Sequence, residues 1–217
     1  MYRRKLGKSK VKNIHRFVSP KNGTTLLIES TLEFHSCYPL EYNREVKSFE
    51  AQPEGFEYVY ENKVHRYTPD HLARMISGQE PYIEVKPSRI ANRKDFQDRF
   101  SCQREAAKGL GRDLLLWTEE FIRRQPYFDN LQIIHKYRTQ GPITAEHRHI
   151  LATASSYANH VVTIQELACF ADMNEPHFFP LAYDLIARNH LVTDLNTSHL
   201  TKNSLVGINH GHYPKIY

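Results

Sequence analysis

Cysteine is scarce in this chain. Cys37, Cys102 and Cys169 are the only three among 217 residues, they lie far apart, and they form no CxxC pair. An odd, scattered set argues against a disulfide framework and reads as free thiols in a reducing compartment. Apolar runs of transmembrane length are also missing, and no apolar stretch backs the basic opening "MYRRKLGKSKVKNIHRF". Neither a membrane span nor a signal peptide is therefore expected, and the expected location is cytoplasmic. Acid is absent until Glu29, whereas the same stretch carries Arg3, Arg4, Lys5, Lys8, Lys10, Lys12, Arg16 and Lys21. Such a block stays solvated and attracts polyanions. With a net charge of +5 over the whole chain, phosphate contact is favoured over a merely solubilising tail. The rest is ordinary for a soluble globular protein, at 40% hydrophobic and 24% charged residues. No internal repeat stands out.

The hydrophobic patterning predicts two units. Residues 24–42, with Leu27, Leu32, Phe34, Tyr38 and Leu40 at three-to-four spacing, read as a helix. Residues 45–60 alternate apolar and polar, break at Pro53 and Gly55, and read as two strands. Shorter apolar segments around 67–73 and 82–85 follow, then a charged helical pattern over 93–110 and a buried strand, "DLLLWTEEF", over 113–121. This order predicts a mixed α/β domain ending near residue 124. Beyond Gly141-Pro142 the pattern turns helical at 144–158. Thr163-x-x-Glu166 is a capping box opening the next helix, and "HFFPLAYDLIARN" is another, with Pro180 expected in its first turn. Residues 190–208 have the look of a hairpin. Helix, helix, turn, helix, hairpin is the order of a winged helix-turn-helix.

The chemistry concentrates in "HRYTPDHLARMISGQEPYIEVKP", 65–87. Alternation along a strand puts Glu84 and Lys86 on one face with Val85 on the other. A neighbouring strand can bring Asp70 beside Glu84, and two carboxylates that close repel unless a divalent cation lies between them. Oxygen-only ligands suit Mg²⁺, and a lysine beside that ion can orient or help deprotonate a water or steady charge on a phosphate. That is phosphodiester hydrolysis. Acid-x-Lys also occurs at Glu45/Lys47 and Glu61/Lys63, which read as solvated strand edges. A structural ion pair is the competing reading for Glu84/Lys86.

"STLE" (30–33), "SFEAQP" (48–53), "HRYTPDHL" (65–72) and "IEVKP" (83–87), in this order and spacing, resemble the TnsA family of transposon endonucleases, as do "VKNIHRF" and "WTEE" (117–120). The resemblance implies an α/β fold: a restriction-endonuclease-like core, a mixed sheet flanked by helices, followed by the C-terminal winged helix-turn-helix domain. The expected organisation is a basic N-terminal arm at 1–22, the catalytic domain at 23–125, the winged-helix domain at 126–206 and a tail at 207–217. It implies Glu33, on the helix before the sheet, as a catalytic acid together with Asp70, Glu84 and Lys86, with Asp70, Glu84 and Glu33 as metal ligands. Glu29 is the competitor for the place of Glu33. The implied activity is Mg²⁺-dependent cleavage (Mn²⁺ substituting) of the 5′ strands of double-stranded DNA at transposon ends. The implied partners are a TnsB-type transposase and a TnsC-type AAA+ ATPase, with no membrane.

Arg3, Arg4, Lys5, Lys8, Lys10, Lys12, Arg16, Arg89, Arg93, Lys94 and Lys202 are the candidate DNA contacts. Gln52 reads as a buried amide bonded to backbone. Arg104 and Glu105 read as a solvated helix face. His147/His149 and His210/His212 read as surface pairs lacking the further ligands a metal needs. The tail "GINHGHYPKIY" is either a docking peptide for the ATPase or simply disordered. The helix around 177–188 is largely apolar, so a major-groove role sits beside a protein-binding one. Two alternatives stay open: a free-standing nuclease of the same fold, and a non-catalytic DNA-binding or assembly protein.

Overall fold

A computed structural model describes residues 14–158 and 160–209. Arg3, Arg4, Lys5, Lys8, Lys10, Lys12 and the pair His210/His212 lie outside the described residues. The chain divides into two compact units, one ending at Arg124 and one beginning at Gln125.

The first unit opens with a hairpin, β1 (His15–Ser19) and β2 (Thr24–Ile28), turning at Gly23 with φ +64°. Two sequence expectations are corrected here. Residues 24–28 are a strand, because Thr-Thr-Leu-Leu-Ile follows an Asn-Gly turn, a hairpin signal that outweighs the helical spacing read across it. The expected arm of residues 1–22 also gives way to β1, so Arg16 sits exposed on a paired strand. Helix α1 begins only at Thr31 and runs to Tyr42. Its Phe34 and Tyr38 pack edge-on against Phe17 of β1, which also meets Phe49. Glu41, although buried, is satisfied: it accepts from the Ser19 hydroxyl at 2.5 Å and the Lys21 N–H at 2.8 Å, fastening the hairpin to the helix.

Strands β3 (Val46–Ala51), β4 (Phe56–Tyr60), β5 (Lys63–Tyr67), β6 (His71–Met75) and β7 (Tyr82–Val85) follow, then α2 (Ser88–Ala91), α3 (Lys94–Gly109), β8 (Leu114–Trp117) and α4 (Glu119–Ile122). The central sheet has order β3-β6-β7-β8. Its first three strands are antiparallel, and β8 runs parallel to β7, as the α2–α3 crossover between them requires. Strands β4 and β5 form a separate hairpin. Phe56, Tyr58, Tyr67, Leu72, Tyr82, Phe100, Ala107 and Leu114 make one apolar core that joins this hairpin and α3 to one face of the sheet. On the opposite face His71 reaches α1. The result is a mixed sheet with helices on its faces.

The second unit contains α5 (Tyr127–Tyr137), α6 (Ala145–Ser156), β9 (Val162–Thr163), α7 (Ile164–Phe170), α8 (Glu175–Ala187), β10 (Leu191–Val192) and β11 (Leu205–Ile208), with an antiparallel sheet β10-β11-β9. The sequence reading did not foresee α5. The capping box at Thr163 and Glu166 forms, with the hydroxyl taking the Glu166 N–H and the carboxylate the Thr163 N–H. Pro180 is not in the first turn of α8: Asn174 caps the helix, Pro176 occupies the opening turn, and Pro180 falls one turn later. Nor is His147 on the surface. It is buried, its Nδ1 accepts the Thr144 N–H at 3.1 Å, and its Nε2 faces Asp184.

His135 on α5 carries a pH consequence. Burial, helped by Arg138, pushes its pKa down to about 4, so the folded ring is neutral. The unfolded ring titrates near 6.5. Below that pH the unfolded chain takes the proton first, so stability is lost as pH falls from about 6.5 towards 4. His135→Gln is expected to lose less stability than the parent over this window in urea titrations at stepped pH.

Candidate active site

Four of the sequence-selected residues meet at the end of β7. Asp70 immediately precedes β6, which pairs with β7, and its Oδ2 accepts the backbone N–H of Val85 at 2.8 Å. Glu84 and Lys86 flank Val85. The Lys86 ammonium lies 2.6 Å from Glu84 Oε1 and 3.4 Å from Asp70 Oδ2, and it also donates to the Val85 carbonyl at 3.1 Å. The two acids thus converge on the ammonium. Glu84 is 5% exposed, and its second oxygen accepts the Tyr67 hydroxyl at 2.5 Å. Glu33 enters from the first turn of α1, close enough that Asp70 and Lys86 both act on its ionisation. Glu29 acts on Glu33 too, more weakly than Asp70, Ser30 or Lys86.

The local sequence explains these positions. Ser30 is the N-cap of α1 and Glu33 its third residue, so S-T-L-E is also a capping signature. The Ser30 hydroxyl accepts the Glu33 N–H at 3.2 Å and donates to the Glu33 carboxylate at 2.7 Å. Asp70 is held from behind by Gln52, whose N–H donates to the Asp70 carbonyl at 2.8 Å. Gln52 adopts φ +47°, a left-handed conformation uncommon outside glycine. Its side-chain Oε1 is buried without a hydrogen-bond partner among the described residues.

Burial first, then Asp70, raises the Glu33 carboxyl to about 7, against the pull of Ser30 and Lys86. Burial and Asp70 raise Glu84 to about 7 in the same way, against Lys86 and Tyr67. Burial disfavours the charge on Lys86, yet Asp70 and Glu84 outweigh it and the pKa is raised, so this lysine is a firm cation. Three carboxylates sharing one ammonium leave the pocket short of positive charge, and hard oxygen donors suit Mg²⁺. Among the described residues no three His, Cys, Asp or Glu side chains are gathered to hold a metal ion as they stand. The donor set fits an ion that takes one or two carboxylates and completes its shell with water.

The other candidates scatter. Glu45/Lys47 and Glu61/Lys63 are exposed. Arg93 is engaged by Asp95 through two 2.9 Å bonds, while Arg89 and Lys94 are exposed. Arg104 and Glu105 are on the open face of α3. In the second unit Lys202 Nζ is 4.0 Å from Glu175, and His177 Nε2 is 2.7 Å from Glu146. Tyr67, His71 and Ser36, which support the acids, were not singled out by sequence reasoning. Tyr67 falls on the inward side of an alternating strand, a signal that could have found it.

Residues 43–119 match the family model described as TnsA-like endonuclease N terminal. Asp70, Glu84 and Lys86 fall inside the matched range, and Glu33 precedes it. No curated protein matches the chain. No helix among the described residues is long and apolar enough to cross a membrane.

Proposed function

We propose, from the match of residues 43–119 to the TnsA-like endonuclease N-terminal model, that this chain is a TnsA-family protein, the Mg²⁺-dependent subunit of a cut-and-paste transposase that cleaves the 5′ strands at transposon ends. The observation that carries the reading is the convergence of Asp70 and Glu84 on the Lys86 ammonium, with Glu33 acting on the same group.

Asp70, Glu84 and Glu33 would be the oxygen donors for the metal. Bound there, magnesium would lower the pKa of an attacking water and offset negative charge on the scissile phosphate. The chain's own residues do the positioning. The Val85 N–H fixes Asp70, the Tyr67 hydroxyl fixes Glu84, and the Ser30 hydroxyl holds Glu33 at the start of α1. Lys86, kept protonated by its neighbours, stabilises charge that builds on the phosphate.

Exposed Arg89 and Lys94 next to the site are suited to phosphate contact. The second unit, with its α-β-α-α-β-β order after α5, is read as a winged helix. The one arginine at the end of α8, Arg188, is spent on Asp184 at 2.7 Å. With so little base-reading chemistry, recognition of the element's ends falls to a TnsB-type transposase, with a TnsC-type AAA+ ATPase regulating both. A cytoplasmic location follows from this role.

Calorimetric titration of the full chain with Mn²⁺ tests the metal reading. Saturable binding is expected, weakened about tenfold or more by Glu84→Gln. Absence of binding by the parent chain, or unchanged binding by the variant, would favour the non-catalytic alternative.

A further inference from the structure

His71 is fully buried, yet it is a polar residue at the centre of a sheet. It follows Asp70 directly and pairs with Ala51 on one side and Ile83 on the other. Its Nε2 lies 2.8 Å from the Ser36 hydroxyl of α1. That hydroxyl donates to the backbone carbonyl of Glu33 at 2.7 Å. Since the serine proton is committed to Glu33, Nε2 carries the imidazole proton and donates to Ser36. Nδ1 has no hydrogen-bond partner among the described residues. A phenylalanine or leucine would fill this site without stranding a polar atom. The cost of the imidazole is offset by one contact, the one to α1.

We propose that His71 and Ser36 form a positioning strut that fixes the first turn of α1 against the strand edge bearing Asp70, setting the separation between Glu33 and Asp70. The strut ties the candidate acid carried on a helix to the strand that begins right after its partner Asp70. Glu33 otherwise sits on a helix N-terminus, where Ser30 caps the chain, Thr31 meets His15 Nε2 at 3.3 Å and Phe34 packs on Phe17, and none of these contacts reaches the strand next to Asp70. The inference rests on the nuclease reading, because a fixed acid-to-acid distance matters only if both acids serve one reaction.

The test is single-turnover cleavage of an end-bearing DNA by the full chain with its cognate transposase and ATPase. The variants are His71→Phe, His71→Gln, Ser36→Ala and the Phe/Ala double, with Asp70→Asn as control. Gln carries an amide N–H at about the reach of Nε2, whereas Phe keeps the ring and loses the donor. A misplacement of about 1 Å costs on the order of 10²-fold in rate. His71→Phe and Ser36→Ala are each expected to slow cleavage by about 10- to 100-fold with DNA affinity unchanged, Gln to recover most of the rate, and the double to be no slower than the worse single. Ser36→Ala, a good helix former in a helix, keeps the test open should the Phe variant fold poorly. Parental rates in Ser36→Ala or His71→Phe with a dead Asp70→Asn would overturn the strut and leave the nuclease reading standing. So would a loss that Gln does not relieve, or one that adds across the double. Parental cleavage by Asp70→Asn would overturn the nuclease reading itself.

Discussion

Asp70→Asn is expected to abolish 5′-strand cleavage, by on the order of 10³-fold or more, while the chain folds and enters its complex normally. Asparagine is chosen over alanine for a geometric reason. Oδ2 of Asp70 accepts the Val85 N–H at 2.8 Å, inside a strand whose four residues are all buried. Alanine would leave that donor without a partner, at about 1–3 kcal/mol, and confuse a folding defect with a chemical one. The asparagine carbonyl still accepts the bond and removes only the charge. Lys86 then keeps Glu84 at 2.6 Å as its one close carboxylate. Melting temperature and complex assembly report on the fold, and a strand-specific cleavage assay reports on the chemistry. Normal cutting by Asp70→Asn would remove Asp70 from the reaction.

Asp184→Ala is expected to produce the largest loss of stability in the second unit, about 3–5 kcal/mol, because it leaves the part-buried Arg138 and Arg188 without their counter-charge and the Thr139 N–H and hydroxyl without their acceptor. Asp184 is 1% exposed. It accepts the Thr139 N–H at 2.9 Å and hydroxyl at 3.1 Å and the Arg188 Nε at 2.7 Å, with Arg138 at 3.6 Å and His147 at 3.1 Å. One carboxylate thereby ties the loop after α5 to α8. A drop in melting temperature of roughly 10 °C or more is expected, read by calorimetry on the full chain, with Asp184→Asn intermediate. A change of only a degree or two would mean that the loop finds other partners. The same contacts explain an acid on a helix that, by element order, would face a DNA groove: it points into the unit.

The strands around the site were legible because their signals are local. Alternation gave β3 and β4, and a short bounded apolar run gave β7 and β8. Glu84 and Lys86 on one side of a strand follow from the same periodicity, and the structure brings them within 2.6 Å. Asp70 was visible as an acid at a strand start. Its position depends on antiparallel pairing of β6 with β7, a non-local fact that spacing only permits. Glu33 was illegible from local pattern, because a carboxylate at the third position of a helix is what an ordinary cap looks like. The family resemblance, not periodicity, selected it. The β1–β2 hairpin was lost by extending helical spacing across an Asn-Gly turn, and α5 because no strong cap marks its start. His71 and Ser36 were hidden for another reason: a buried polar pair has no periodic signature, since it is defined by a partner 35 positions away.

The Ser30 hydroxyl bonded to the Glu33 carboxylate has one more implication. On the proposed chemistry one carboxylate is claimed by two tasks, finishing a helix through Oε1 and facing a cation. When the cation arrives, the pull on that carboxylate changes the serine bond at the helix start. Amide hydrogens of residues 31–33 should then exchange with solvent at a different rate in the loaded protein than in the empty one, making the beginning of α1 a built-in reporter of occupancy that needs neither substrate nor cleavage.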